Sequence, residues 1–160
     1  MKYTPIKKIS AFIVSMLLIL VISGCSSENR YSSAQLSKDI LNIASFSEMK
    51  ELSAPSLPPN FVFQDSNVKR FSVMVSATDA SADTLACFEV TDEQRATVIS
   101  GISHYLTNLS NSFKSTMEQE YVKVEKRLLV ELENIIILVI CNDTTAVWDY
   151  LTELGAKEVI

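Results

Sequence analysis

The run Ile135-Ile-Ile-Leu-Val-Ile-Cys141 has no charged or hydrogen-bonding side chain before its terminal thiol. A strand built from it is apolar on both surfaces, so it belongs in the interior of a sheet with cover on each side. The neighbouring segments supply partners. Residues 127–132 read as a strand joined to the run by a tight turn at Glu133-Asn134. Further upstream, 68–77 alternates, with Phe71, Val73, Val75 and Ala77 on one face and Arg70, Ser72, Met74 and Ser76 on the other. After a turn region at 79–83, residues 84–90 repeat the pattern, turning Ala86, Phe88 and Val90 to the apolar face and Cys87 and Glu89 away from it. These segments predict a four-stranded, mainly antiparallel sheet.

Three helices are expected to pack on it. From Ala34 to about Leu52 the residues Leu36, Ile40, Ile43 and Ala44 recur at helical spacing, with Ser33 available as N-cap. Thr91-Asp-Glu-Gln94 has the form of a capping box and opens a long helix whose apolar stripe is Ile99, Ile102, Leu106, Leu109, Phe113 and Met117. A last helix follows Asn142-Asp143-Thr144, turns Val147, Tyr150, Leu151 and Leu154 inward, and ends at Gly155. Prolines at 55, 58 and 59 exclude regular structure from 53–60, and 61–67 reads as an ordered loop. The result is an α+β domain over 34–160 with element order α-β-β-α-β-β-α.

The N-terminus indicates where such a domain works. Lys2, Lys7 and Lys8 precede an apolar stretch from Ile9 to Ile22, about 14 residues, which suits a signal peptide and falls short of a membrane-spanning helix. The stretch ends in Ile22-Ser23-Gly24-Cys25, which resembles the lipobox of bacterial lipoproteins: a branched apolar residue, two small residues that let an extended backbone enter a peptidase, and a cysteine. The expectation is cleavage after residue 24, with Ile22, Ser23 and Gly24 as the peptidase recognition residues and Cys25 as the acylated first residue of the mature chain. Two acyl chains hold a protein stably, where one binds only marginally. Residues 25–33 would then be a lipidated cysteine and polar tether, and the protein would lie on the extracytoplasmic face of the cytoplasmic membrane. Cleavage removes three lysines and no acid from 14 basic and 19 acidic residues, leaving a net charge near −8. That disfavours nucleic acid as a partner.

The domain resembles an uncharacterised bacterial lipoprotein family, domain of unknown function 4358, typical of Clostridia-like Gram-positive bacteria. The resemblance covers most of 33–155. It rests on the lipobox, on Ala82-Asp-Thr-Leu-Ala-Cys-Phe-Glu-Val90 leading into the capped helix, on Glu120-Tyr121, and on the apolar strand before Asn142-Asp143. Where the family has a glycine-containing turn between its last two strands, this chain has Glu133-Asn134. The resemblance implies an address and brings no catalytic residues.

Residues able to do chemistry are sparse. His104 is the single histidine, on the long helix, and reads as a surface or boundary residue. Cys87 and Cys141 lie far apart in sequence on separate strands, which offers no metal-ligand spacing, and they read as buried free thiols rather than a bridge. No serine sits in a nucleophile elbow, and no glycine-rich phosphate loop occurs. No cofactor or metal is expected. Two function classes follow: a non-enzymatic interaction or accessory lipoprotein, and a cell-envelope hydrolase with an unrecognised site. For the first, the candidate partner-binding face is the second face of the sheet: Arg70, Ser72, Met74, Ser76, Glu89 and Glu131, taking an envelope protein. Its condition is that the first helix leaves the stripe Ile135, Ile137 and Val139 uncovered.

Overall fold

A computed structural model describes residues 30–159. In chain order they form α1 (Ser33–Ile43), β1 (Met49–Glu51), α2 (Leu57–Phe61), β2 (Arg70–Ser76), β3 (Thr84–Glu89), α3 (Asp92–Phe113), α4 (Glu118–Glu125), β4 (Leu128–Leu132), β5 (Ile135–Ile140), α5 (Thr145–Glu153) and β6 (Lys157–Glu158). The strands make one antiparallel sheet in the order β1-β2-β3-β5-β4-β6. The class agrees with the sequence reading, but the sheet has six strands where four were expected. The additional two lie at the edges and are three and two residues long. Such segments are too short to display an alternation, and β1 falls where the first helix was expected to continue.

β5 is interior, as its composition requires, and each of its six residues is buried. On one side Phe61 of α2, Val98, Ile102 and Tyr105 of α3 and Val124 of α4 pack with Val73, Ala86, Phe88, Ile136 and Leu138. On the other, Leu36 and Ile40 of α1 and Val147 and Leu151 of α5 share a core with Leu85, Cys87, Val130, Ile135, Ile137 and Val139. Each fully buried Leu or Ile of α1 contributes about 1.5–3 kcal/mol, enough to hold a three-turn helix that would not persist alone. The domain therefore has three layers. The long helix α3 and the last helix α5 lie on opposite faces of the sheet.

Several boundaries moved for local reasons. Ser32 rather than Ser33 caps α1, its side chain accepting from the Gln35 N–H. Thr91 and Gln94 form the expected capping box of α3, but that helix ends at Phe113 and the chain restarts as α4, so Met117 is exposed. Pro58 and Pro59 stand in the first turn of α2, where a missing N–H breaks no helical bond, so prolines that were read as excluding helix instead begin one.

α2 leads directly into Val62, whose φ of 61° lies in the left-handed region. A β-branched residue there is strained by about 1–2 kcal/mol, and Val62 is 60% exposed, so it packs little in return. Val62→Gly is expected to raise the thermal midpoint by about 3 °C, after allowing for the greater chain entropy of glycine. A lower midpoint for the variant would contradict this account of the turn.

Candidate functional site

Asp83 ends the loop that leads into β3, and Glu120 and Lys123 stand one turn apart on α4. The fold brings the three together at the end of the sheet where β3 begins and β5 ends. Lys123 Nζ donates to Asp83 Oδ1 at 2.7 Å and lies 2.9 Å from Glu120 Oε2. Both carboxylates also accept from the backbone. Asp83 Oδ2 accepts from the Ser47 N–H at 2.6 Å, and Glu120 Oε2 accepts from the Ala82 N–H at 2.7 Å. Burial disfavours the Lys123 ammonium, but the hydrogen bonds and charges of Asp83 and Glu120 outweigh it and raise its pKa above the ordinary lysine value. Lys123 is therefore a cation at neutral pH, unsuited to amine nucleophile or base chemistry, and the cluster ties α4 to the loop before β3.

Two clefts flank this cluster. One, of about 740 Å³, lies between α2, the C-terminal half of α3 and the β1–β2 edge, and Ser81 and Asp83 belong to its wall. The other, of about 440 Å³, is bounded by Val122, Lys123, Lys126, Cys141 and Asn142. Cys141 is buried, its thiol pushed up chiefly by that burial, and Sγ donates to the Asp143 carbonyl at 3.2 Å. Cys87 is buried against Ser37 and its thiol is pushed up to about 12 by desolvation. Both are free thiols, as expected. Cys87 pairs in register with Ile137, so Cys141, four residues further on and just past the end of β5, stands about 13 Å away along the strand direction and beyond the reach of a disulfide.

The residues proposed from sequence for a binding face do not share an open surface. Arg70 is exposed, Ser72 and Met74 are half-buried, and Ser76 and Glu89 are buried on the face that α1 crosses against β2 and β3. The stripe Ile135, Ile137 and Val139 is buried in the same core as α1, so the condition set for an open second face is not met. Glu131 lies on the opposite face, ion-paired with Arg95 of α3. The reason is that Leu128, Val130 and Leu132 alternate with Leu129 and Glu131, a strand apolar enough on both sides to hide which side points where.

Glu89 acts inside the fold. Its carboxylate accepts from the Ser33 N–H at 2.9 Å, from Ser33 Oγ at 3.0 Å and from Arg70 Nε at 3.0 Å. Burial would raise its pKa, but these bonds prevail and hold it below the ordinary carboxylate value. It thus pins the first turn of α1 to the sheet, where the helix dipole favours an anion. Arg30 binds the β4–β5 turn beside it, with Nε 2.6 Å from Glu133 Oε1 and the backbone N–H 3.1 Å from Oε2. Glu133 itself takes the left-handed conformation, φ 56°, that glycine adopts without strain.

His104 is exposed, its Nδ1 3.0 Å from Asn108 Nδ2. Among the described residues no group of three or more His, Cys, Asp or Glu is placed to hold a metal, and no helix is long and apolar enough to cross a membrane. Cys25, with Ile22, Ser23 and Gly24, lies outside the described residues. Sequence reasoning missed the Asp83–Lys123–Glu120 cluster. Asp83 was read as turn and Glu120 as part of a family segment, and Lys123 offered only its spacing from Glu120.

A family described as a domain of unknown function, DUF4358, matches residues 42–141, which takes in the four long strands and the whole charged cluster. No curated protein and no solved structure matches the chain.

Proposed function

The chain belongs to the DUF4358 family, and on that premise we propose that it is a lipoprotein held by acyl chains on Cys25 at the outer face of a bacterial cytoplasmic membrane. It serves there as a non-enzymatic module that binds a component of the envelope. The observation that carries this reading is the Ile22-Ser23-Gly24-Cys25 tetrad behind a lysine-flanked apolar segment, with a folded domain starting within ten residues of it. The charged cluster does not favour the enzyme reading, since Lys123, Asp83 and Glu120 bind one another and backbone N–H groups.

The anchor also gives the domain an orientation. Four residues separate Cys25 from Arg30, so the two lie at most about 18 Å apart along extended chain, and Arg30 is docked on the β4–β5 turn. That end of the sheet therefore faces the bilayer. Both clefts open at the other end, one strand length or about 17 Å away, toward the cell wall. Cys25→Ala is expected to abolish metabolic fatty-acid labelling and to shift the protein out of the acylated membrane pool. Labelling that persists in this variant would overturn the proposal.

A further inference from the structure

We propose that the cleft of about 740 Å³ between α2, α3 and the β1–β2 edge binds a short neutral glycan. The position facing the wall rests on the lipoprotein reading, whereas the ligand chemistry comes from the cleft alone. Its volume is that of a small-molecule site. Part of its polar wall consists of oxygens whose own hydrogens are already spent. Thr116 Oγ1 donates to the Ser112 carbonyl, Ser112 Oγ donates to the Asn108 and Leu109 carbonyls, and Asn60 Nδ2 donates to the Ser56 carbonyl. Each spends a donor within its own helix or turn and leaves oxygen lone pairs for a ligand. Glu51 and Asp79, both exposed on this wall, make no hydrogen bond or ion pair among the described residues, so their oxygens add further acceptors.

Such acceptors call for a ligand rich in donors. The two carboxylates, and the carbonyl end of α3 that reaches the cleft at Phe113, disfavour phosphate or other anions, with Lys50 the one exposed cation on the wall. The same wall carries Pro59, Leu109 and Met117, apolar side chains of the kind that the C–H face of a pyranose covers. A saccharide meets both demands, because each hydroxyl can donate to a carboxylate or a threonine oxygen while the ring face removes apolar surface from water. A polyamine would satisfy the charge but offers no flat ring face to Pro59, Leu109 and Met117.

The test is calorimetric titration of the full-length chain in detergent with N-acetylated chitotriose (called chitotriose below), spermidine and trialanine as separate probes. Saturable binding of chitotriose is expected, weakened at least tenfold by the double variant Glu51→Gln/Asp79→Asn at an unchanged thermal midpoint. Chitotriose binding that ignores the double variant, binding of spermidine or trialanine in its place, or no heat with any probe overturns the proposal. Fatty-acid labelling of the same preparation reports the anchor separately. Glycan binding by an unlabelled chain would remove the orientation and leave the site standing.

Discussion

Gly101→Ala is expected to lower the stability of the domain by about 3 kcal/mol or more, although alanine is the better helix former. Gly101 lies in the middle of α3, where alanine would gain about 1 kcal/mol from propensity alone. The added Cβ would stand 2.2 Å from the Phe61 carbonyl oxygen and 2.3 Å from the Phe63 ring, against a comfortable separation of about 3.5–4 Å. Neither neighbour can step aside. Phe61 stacks on Tyr105 at 4.5 Å between centroids and meets Phe88 edge-on at 5.3 Å, and Phe63 meets Phe88 at the same distance. Separating α2 from α3 would pull this aromatic group apart, and overpacking of that kind commonly costs 1–3 kcal/mol, more where a backbone atom is the obstacle. The loss exceeds the propensity gain and should lower the thermal midpoint by about 10 °C. Urea denaturation of the variant measures it, and a midpoint equal to or above that of the parent would show that α2 yields.

What could be read beforehand follows from where each signal resides. The position of β5 is written in its own side chains, because seven residues with so little polarity tolerate only an interior site. The start of α3 is written in Thr91 and Gln94, whose reciprocal bonds are local. The phase of β4 is not, since Leu129 and Glu131 face α3 only because the register with β5 turns them that way. The edge strands β1 and β6 exist through pairing with β2 and β4 and have no pattern of their own. The charged cluster is tertiary in the same sense. Asp83 and Lys123 are 40 positions apart, and nothing in either neighbourhood marks the ion pair. Glu89 shows the reverse error: an acid at an alternating polar position looks like surface, yet it is buried because the first turn of α1 brings the Ser33 N–H and hydroxyl to it.

Lys123→Met should cost about 3–5 kcal/mol at neutral pH, and its pH dependence should identify the cause. Exposed ion pairs are worth about 0–1 kcal/mol, so the size of the effect depends on burial. Here the side-chain exposures are 9% for Lys123, 3% for Asp83 and 17% for Glu120, which puts the group among pairs whose broken half is left without solvent. Removing the ammonium leaves the two carboxylates that bordered Nζ without a cation between them and with little water to screen them. The variant gives up the pH dependence that Lys123 brings to the fold. The parent behaves otherwise at this site. Lys123 is raised above its ordinary 10.5, so its contribution is fully present below that value and is lost only as pH climbs through the raised one. Adding Asp83→Asn to Lys123→Met removes one of the opposed charges while keeping an oxygen for the Ser47 N–H, and should recover part of the loss. Urea midpoints at pH 5, 7 and 9 for the three proteins decide the matter. A single variant that loses less than about 1 kcal/mol, or a double variant no better than the single, would mean that water already reaches the cluster and that α4 is held to the β3 loop by its apolar contacts alone.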